Sequence, residues 1–350
     1  MRVKSEDLKD LIKTKLQKAG LNEEHADVAA DVLTFADARG IHSHGAMRVE
    51  YYAERIAKGG INTNPDFKFE KTGPATGVFH GDGGNGHIAA KLAMDEAIKM
   101  AKESGIAIIG VKEISHSGAI SYFTEQAASE GLIGITMCQS DPMVVPFGGA
   151  EPYYGTNPIA FAAPSSDGRM ITLDMATTVQ AWGKILHARS KNESIPNTWA
   201  VDSNGEPTTD PLAVQALLPI AGPKGYGLAM MVDVLSGILL GVPFGNKVSS
   251  MYEDLTAYRR LGQLHIVINP AFFRGITDFK NDITQTMEDL NQIKPASGFS
   301  KVLYPGQNND LVIEDYKENG IELVDDIYEY LKSDVVHNNN YDNKNPFAAK

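Results

Sequence analysis

Two kinds of hydrophobic pattern alternate between residues 76 and 138, and this alternation limits the folds that are available to the chain. Three short apolar runs, TGVFHG, GIAIIGVKE and GLIGITMCQS, predict strands, and the two segments between them carry apolar residues at helical spacing. Strands that are separated by helices form a sheet with helices packed on its faces. The sequence therefore predicts an α/β fold around a central sheet.

Helical patterns also occupy both ends of the chain. We predict helices over residues 5–19, 22–39 and 45–58, and helical patterns return between 277 and 334. Before these last helices, PKGYGLAMMVDVLSGILL predicts a buried helix and GQLHIVINP predicts a further strand. The two ends of the chain are expected to form a helical part beside the sheet.

The composition restricts the classes of partner. Of 350 residues, 43% are hydrophobic, which allows a sizeable core, and the net charge is -12. Nucleic-acid binding requires a basic face, so nucleic acid is not expected as a partner. The single cysteine, Cys138, excludes an internal disulfide framework and, with the charged start MRVKSEDLKD, indicates a cytoplasmic protein. The most apolar stretch, residues 226–241, contains Asp233 and is too short to cross a bilayer.

A glycine-rich stretch, GDGGNG at residues 81–86, follows a predicted strand and opens a predicted helix. It satisfies the G-x-G-x-x-G pattern, which in a dinucleotide-binding fold places a pyrophosphate at the helix N-terminus. Only one strand–helix–strand unit is present before Gly and Pro residues interrupt the pattern at irregular intervals, and short glycine patterns are common. A glycine-rich turn at a helix start is therefore favoured, and a dinucleotide fingerprint is the alternative.

The stretch GIHSHGAMR, residues 40–48, places His42 and His44 one residue apart and Arg48 shortly after them. Two such histidines can bind zinc, but a zinc site needs further ligands, and the sequence contains neither HExxH nor CxxC. The serine-hydrolase pattern GxSxG is also absent. No metal is expected, and a metal-dependent hydrolase that uses His42 and His44 is kept as an alternative.

His116 follows a predicted strand and precedes a predicted helix, in the stretch VKEISHSGAISYF. Strand-end loops carry reactive groups in α/β proteins, and an imidazole titrates near neutrality. Arg48 and Tyr52 lie one turn apart on the third predicted helix. Arg48 could hold the carboxylate of a 2-hydroxy acid while His116 accepts the hydroxyl proton and a nicotinamide accepts the hydride. Alternatively, His116 caps the following helix and Arg48 forms a solvated surface pair.

Six stretches extend over nearly the whole chain and are jointly specific: ADARGIHSHGAMR (36–48), GHIAAKLAMDEAI (86–98), SHSGAISYF (115–123), PFGGAEPYYGTNPIAFAAP (146–164), DMATTVQAWGKI (174–185) and GPKGYGLAMMVDVLSG (222–237). In these stretches the chain resembles the type-2 malate/L-lactate dehydrogenases, also called the L-sulfolactate dehydrogenase-like group. The resemblance implies a non-Rossmann α/β fold in which a largely antiparallel central sheet binds the nicotinamide cofactor. It therefore counts against GDGGNG as the pyrophosphate loop.

The resemblance also implies a division of the chain and its partners. Residues 1–70 and 277–350 are expected to form a helical domain for substrate binding and dimerisation, and residues 71–276 a central-sheet domain that binds NAD. The expected partners are a small 2-hydroxy acid and a second copy of the chain, in a homodimer or a higher homo-oligomer. No membrane is expected.

Residue by residue, the resemblance implies that His116 is catalytic and that His44, Arg48 and Tyr52 line the substrate pocket, with Ser43 adjacent. The implied positions for NAD, in preference to NADP, are Ser140, Asp174, Met175, Ala176, Lys224, Gly306, Gln307 and Asn308. Many relatives read PGE where this chain reads PGQ at 305–307, so the contact of this late loop lacks an acidic side chain. Lys224 opens a predicted helix, where a cation gains nothing from the helix dipole, so a ligand phosphate explains it better.

Within the family, stretches such as MCQSDPMVVPFGGAEPYYGTNP and FGNKVSSMYEDL are similar to the members that act on ureidoglycolate. The resemblance implies oxidation of (S)-ureidoglycolate to oxalurate with NAD⁺ in allantoin breakdown. Oxidation of malate, L-lactate or L-sulfolactate and reduction of a 2,3-diketo acid are the alternatives. The activity is expected to show a pH limb near the ordinary imidazole pKa, roughly 6.5.

Asp141, in the segment QSDPM, carries a further hypothesis. Ureidoglycolate ends in a ureido group, which donates two N–H bonds, whereas malate ends in a second carboxylate. A carboxylate at Asp141 would accept from the ureido group and repel malate. Alternatively, Asp141 caps a turn before Pro142.

Overall fold

A seven-stranded sheet lies at the centre of the computed structural model, which describes residues 1–343. The strands of the chain are β1 (Arg2–Val3), β2 (Lys68–Lys71), β3 (Thr76–His80), β4 (Ile106–Ile114), β5 (Ile133–Cys138), β6 (Ile159–Pro164), β7 (Met170–Met175), β8 (Ala200–Val201), β9 (Ala216–Leu217), β10 (Leu261–Ile268) and β11 (Ile321–Glu322). The sheet has the order β2-β3-β4-β10-β5-β6-β7. Only β3 and β4 pair in parallel, and the other pairs of this sheet are antiparallel. The expected α/β fold with a largely antiparallel central sheet is confirmed.

The helices cover the sheet and form a layer beside it. They are α1 (Ser5–Ala19), α2 (Glu23–Ala38), α3 (Val49–Ala57), α4 (Gly86–Ser104), α5 (Ser121–Ser129), α6 (Trp182–Lys191), α7 (Pro223–Ser236), α8 (Ile276–Gln292), α9 (Gln307–Asn319) and α10 (Asp325–Lys332). The predicted helices over 5–19 and 22–39 correspond to α1 and α2. The third, over 45–58, is wrong at its start, because the chain makes two 3-10 turns before α3 begins.

Strand β10 lies at the centre of the sheet and is covered on both faces. It pairs with β4 on one edge and β5 on the other. His265 accepts and donates hydrogen bonds on the side of α4, where Val267 also packs, whereas Leu264 and Ile266 pack with Val232 of α7 on the opposite face. Because both faces are covered, the polar side chains of this strand, Gln263 and His265, are buried and hydrogen-bonded rather than exposed to solvent.

Both ends of the chain meet in one helical layer. Leu8, Leu33 and Tyr51, from α1, α2 and α3, share a core with Ile321 and Leu331, from β11 and α10. β1 and β11 also pair, in an antiparallel two-stranded sheet. The described part of the chain therefore closes its two ends on each other next to the central sheet.

Two segments near the C-terminus have separate contacts. α8 lies over the β6–β7 connection, where the backbone N–H of Ser166 donates to Thr284 at 3.0 Å. Residues 337–343 run along α3, where the N–H of Asn338 donates to Glu50 at 2.9 Å. The division into 1–70 with 277–350 and 71–276 stays a prediction, and residues 344–350 lie outside the described residues.

α7 differs from the predicted buried helix. Val232 is buried against the sheet, but Leu228, Met231 and Val234 are exposed, and Leu239 in the following 3-10 turn is 61% exposed. Apolar composition does not distinguish burial within one chain from burial against another surface. No helix within residues 1–343 combines the length and the apolar character that crossing a membrane requires.

The glycine-rich turn at residues 81–86 is filled by protein atoms. A Cβ added at Gly83 would lie 2.5 Å from the ring of Tyr258, and one at Gly86 would lie 2.2 Å from the carbonyl oxygen of Ser115. The turn joins β3 to α4 and packs on the end of β4. Its glycines therefore permit close packing at a helix start, which agrees with the favoured interpretation of GDGGNG.

Candidate active site

The histidine turn, residues 40–48, leaves the end of α2 in a conformation that Asp37 determines. Asp37 is 1% exposed, and its carboxylate accepts hydrogen bonds from the ring of His42 at 2.8 Å and from the N–H of Ala46 at 2.6 Å. Gly45 approaches this carboxylate so closely that an added Cβ would lie 2.2 Å from Asp37 Cγ. The turn is therefore built around one buried carboxylate, with His44 at its tip.

His44, Tyr52 and His116 converge, although they come from the histidine turn, α3 and the end of β4. The Tyr52 hydroxyl is 2.6 Å from Nδ1 of His116. The rings of His44 and His116 stack with their centroids 5.8 Å apart. Ser43 Oγ is 2.9 Å from Nδ1 of His44. These predicted site residues thus form one cluster, in which Tyr52 is fully buried behind the half-buried His116.

Burial keeps the two stacked imidazoles neutral. It lowers the pKa of His44 to about 4, with a smaller contribution from the positive charge of Arg48. Burial, followed by the charges of His44 and Arg48, lowers the pKa of His116 well below the usual imidazole value. Because the pKa of His116 is lowered, we expect the pH limb of the activity below the ordinary imidazole value of roughly 6.5. Neutral His116 can accept a proton without competing with a charge that it already carries.

The contacts of His116 Nδ1 govern which ring nitrogen carries the proton. The backbone N–H of Gly118 is 3.2 Å from Nδ1 and can only donate, and the Tyr52 hydroxyl approaches the same nitrogen. We therefore assign the proton of the neutral ring to Nε2 in this state. A phenol can also accept a hydrogen bond, so Tyr52 can hold the opposite tautomer, which leaves Nε2 free to act as a base.

Arg48 offers a positive charge next to these neutral rings. Its Nε donates to the carbonyl of Ser43 at 2.8 Å, and its Nη1 donates to the hydroxyl of Tyr252 at 2.6 Å. Within residues 1–343 Arg48 has no carboxylate at salt-bridge distance, and its Nη2 makes no hydrogen bond. A half-buried guanidinium with a free edge is suited to bind a carboxylate with two bonds.

Both carboxylate oxygens of Asp141 have partners within the protein. One of its oxygens pairs with the buried guanidinium of Arg259, and the other accepts from the N–H of Met251. Both oxygens thus hold the segment that carries Tyr252. A role of Asp141 in recognising a ureido group stays a prediction.

Sequence reasoning missed three residues of this region. Tyr252 holds Arg48, Arg259 pairs with Asp141, and the buried Arg55 donates to backbone carbonyls, including that of Gly60 at 3.3 Å. Tyr252 and Arg259 belong to a loop about two hundred residues after the histidine turn, so no local pattern connected them with it. The similarity of the stretch FGNKVSSMYEDL, which contains Tyr252, was the one available signal.

A third buried histidine, His87, also lies in the cluster and was not predicted. Its ring meets that of Tyr52 edge-on, with centroids 4.8 Å apart. Its Nδ1 is 2.8 Å from the side-chain oxygen of Asn85, which also caps α4. Burial lowers the pKa of His87 to about 3, so the ring adds no charge to the site.

The positions expected to hold the cofactor gather around the end of edge strand β7. The carboxylate of Asp174 accepts from the N–H of Ser121 at 2.9 Å. Gly306 has a φ of 93° and lies so close to β7 that an added Cβ would be 3.0 Å from the carbonyl oxygen of Thr172. The next residue, Gln307, is buried and accepts from the N–H of Tyr304 at 3.2 Å. The PGQ loop is therefore fixed beside β7, with exposed Asn308 after it.

Ser140 and the segment that precedes Lys224 are connected by hydrogen bonds to the residues after β7. Ser140 Oγ is 3.0 Å from the hydroxyl of Thr156, whose carbonyl accepts from the N–H of Thr177 at 2.8 Å. The carbonyl of Thr177 accepts from Ile220 at 2.9 Å, a few residues before Lys224 opens α7. Lys224 is exposed at this helix N-terminus, a combination that suits a phosphate. The donor set fits a dinucleotide.

The paired histidines of the turn do not share a ligand. His42 bonds to Asp37, whereas His44 bonds to Ser43 and stacks on His116. Within the part of the chain that the structure describes, no group of three or more His, Cys, Asp and Glu side chains is placed to hold a metal ion. The structure thus gives His42 and His44 separate environments.

Comparison with known proteins assigns this arrangement to a family. A family model described as malate/L-lactate dehydrogenase matches residues 3–332. The chain belongs to this family. The ureidoglycolate dehydrogenase (NAD(+)) of Escherichia coli O157:H7 is 62% identical over 99% of this chain and 100% of its own length. The L-sulfolactate dehydrogenase of Methanocaldococcus jannaschii is 40% identical over 95% of this chain and 96% of its own.

Solved structures agree with this assignment. The sulfolactate dehydrogenase of Methanocaldococcus jannaschii superposes with a TM-score of 0.88, covering 95% of this chain and 96% of its own, at 40% identity. The malate dehydrogenase of Pyrococcus horikoshii OT3 gives a TM-score of 0.85 at 34% identity, covering 94% of this chain and 93% of its own. The expected family membership and the expected dehydrogenase activity are confirmed.

Proposed function

We propose that the protein oxidises (S)-ureidoglycolate to oxalurate with NAD⁺. The observation that carries the substrate is the 62% identity, over the whole length of both chains, to a ureidoglycolate dehydrogenase that uses NAD(+). The geometry supports the reaction class, because Arg48 has no acidic partner within residues 1–343 and lies beside the neutral imidazole of His116. One site thus offers a carboxylate ligand and a proton acceptor.

Each side chain has a separate task in the proposed reaction. Arg48 binds the substrate carboxylate, with its fork oriented by Ser43 and Tyr252. In the tautomer with its proton on Nδ1, which donates to Tyr52 in place of the bond from Gly118, His116 takes the hydroxyl proton on Nε2 as the hydride leaves the same carbon. His44 stacks on His116 and limits its movement. Bound NAD⁺ supplies the hydride acceptor.

The residues proposed to hold NAD are Ser140, Asp174, Met175, Ala176, Lys224, Gly306, Gln307 and Asn308. The order of the loop beside β7 and the exposed ammonium of Lys224 at a helix start support them. A contact of the substrate with Ser43, His44, Tyr52 and Asp141 belongs to the same proposal. For Asp141 the support is indirect, because it pairs with Arg259 and holds the loop that carries Tyr252, the partner of Arg48.

A homodimer in the cytoplasm, acting in allantoin degradation, completes the proposal. The exposed apolar side chains of α7 and the turn after it support a subunit contact, since Met231 is 39% and Leu239 61% exposed in the single chain. The helical ends of the chain, 1–70 and 277–350, are proposed as the substrate and dimerisation domain and 71–276 as the NAD-binding domain. Because α7 belongs to 71–276, the contact that its exposed face supports extends beyond the helical ends. Sedimentation velocity measures the assembly against the 37.9 kDa chain.

The direct test is a panel of hydroxy acids. Production of NADH is followed with ureidoglycolate, malate, L-lactate and L-sulfolactate, each with NAD⁺ and NADP⁺. We expect the highest kcat/KM for ureidoglycolate with NAD⁺, and a higher value for malate would contradict the proposed substrate.

His116→Ala should lower kcat by roughly 10²–10⁴-fold, as removal of a general base does, while NADH still quenches protein fluorescence. Near-normal turnover in this variant would contradict the role of His116.

A further inference from the structure

His42 is the member of the histidine turn that the proposed reaction does not use, yet both of its ring nitrogens have partners. Nδ1 is 2.8 Å from Asp37, and Nε2 is 3.2 Å from the hydroxyl of Tyr316. The ring is 43% exposed, whereas Asp37 is buried. A buried carboxylate needs hydrogen-bond partners, because an unpaired charge inside a protein is costly, and His42 is one of the two groups that supply them.

Asp37 holds the chain on both sides of His44. One carboxylate oxygen accepts from the ring of His42, two residues before His44. The other accepts from the N–H of Ala46, two residues after His44. Arg48 then follows within one helical turn, held to the carbonyl of Ser43. The positions of the stacked imidazole and of the guanidinium therefore depend on the same carboxylate.

The outer side of this arrangement rests on α9. Tyr316 of α9 contacts His42, the side chain of Asn309 donates to the carbonyl of Arg39 at 2.8 Å, and Gly40 packs against Val312. α9 begins with the loop proposed to hold the cofactor. The histidine turn is thus attached to the element that starts beside β7.

We propose that Asp37 and His42 are positioning residues for the oxidation. Their hydrogen bond to each other, together with the contact of His42 with Tyr316, fixes the positions of His44 and Arg48. This inference rests on the proposed function, which supplies the reaction that the two residues serve. Neither residue touches the substrate: they act by keeping the guanidinium and the imidazole at the separation that one small acid spans. Such a role predicts a loss of substrate affinity when the pair is broken, without a loss of cofactor affinity.

The test compares KM with kcat. His42→Phe keeps a ring but removes both hydrogen bonds, and we expect KM for ureidoglycolate to rise about tenfold or more, since a hydrogen bond to a charged group is lost. NADH affinity, measured by fluorescence quenching, should stay within about twofold. A purely structural role would lower the amount of active enzyme, and therefore kcat, but would leave KM unchanged. His42→Gln, which retains a donor, should recover part of the lost affinity.

Two further variants keep the inference testable if His42→Phe folds poorly. Tyr316→Phe removes only the outer contact and should raise KM by about threefold, as loss of a neutral hydrogen bond does. His80→Phe is the matched control, because His80 also faces a carboxylate, Glu70 at 3.4 Å, but lies on β3 outside the site. It should leave KM unchanged.

The outcomes separate this inference from the proposed function. If the wild-type protein oxidises malate rather than ureidoglycolate, the proposed substrate is wrong, and the same variants are compared on malate. A wild-type KM in both His42→Phe and Tyr316→Phe, on whichever acid is oxidised, would overturn the inference. A protein that oxidises none of the four acids would overturn both.

Discussion

Arg48 defines the kind of ligand that the site can bind. Its Nε and Nη1 bonds, to Ser43 and Tyr252, orient the guanidinium without neutralising it. The neighbouring imidazoles, His44 and His116, are kept neutral because burial lowers their pKa. A positive charge in these surroundings is balanced most effectively by an anion that enters the site, and a planar carboxylate matches its free edge.

Replacement of Arg48 by lysine separates charge from shape. Arg48→Lys keeps the positive charge but loses the fork and the bond to Tyr252. We expect KM for ureidoglycolate to rise by about 10- to 100-fold, the equivalent of roughly one bidentate contact, with a smaller change in kcat. Steady-state kinetics measure both. An unchanged KM would mean that the carboxylate binds elsewhere, and Arg274→Lys, on an exposed ion pair with Asp282, is the control.

At the scale of elements, the helix starts show what local sequence specifies. The pattern over 5–19 predicted α1, because its apolar residues repeat on one face and no distant group competes for its backbone. The pattern over 45–58 predicted one helix, but the chain makes 3-10 turns until Val49. The reason is Asp37, which lies outside that window and captures the N–H of Ala46. Periodicity within a segment does not contain this information.

For the site too, the sequence predicted only those residues whose position local patterns or a family resemblance indicate. Local patterns, a strand-end loop and one helix face, indicated His116, Arg48 and Tyr52, and the family resemblance added His44. The structure brings His44, Tyr52 and His116 into contact. Tyr252 and Arg259 were missed because their partners, Arg48 and Asp141, lie 204 and 118 residues away in the sequence. The outward face of α7 was also missed, since apolar residues that face another surface have the same pattern as core residues.

Lys224 allows a prediction about α7 in which stability and binding change in opposite directions. A cation in the first turn of a helix is opposed by the helix dipole, so Lys224→Ala should leave the free energy of unfolding unchanged or raise it by about 0.3–1 kcal/mol. If Lys224 binds a cofactor phosphate, the Kd of NADH should rise about tenfold. Fluorescence titration and urea unfolding measure the two quantities.

Lys184→Ala is the matched control for this prediction. Lys184 is also an exposed lysine in the first turn of a helix, α6, so its removal changes the same dipole interaction. It should not change the Kd of NADH. Equal Kd values for Lys224→Ala and the wild-type protein would remove Lys224 from the proposed cofactor site.

For the molecule as a whole, buried imidazoles connect the centre of the sheet to acid stability. His265 lies in β10 with 0% exposure, its Nε2 donating to the carbonyl of Ala90 at 3.1 Å and its Nδ1 facing the hydroxyl of Thr136 at 2.8 Å. Burial lowers the pKa of His265 to about 3. The unfolded chain therefore binds a proton below about 6.5 that the folded chain does not, and stability falls as the pH drops from 6.5 toward 3.

His265→Gln tests this link, because the amide can keep both a donor and an acceptor but cannot be protonated. Between pH 7 and pH 5 a single such histidine should cost about 2 kcal/mol of unfolding free energy, so the variant should lose about that much less than the wild-type protein. Urea unfolding at both pH values and one fixed protein concentration measures the difference. The exposed His187→Gln is the surface control and should follow the wild type. Parallel losses in His265→Gln and the wild type would show that this buried imidazole does not contribute to the acid sensitivity of the fold.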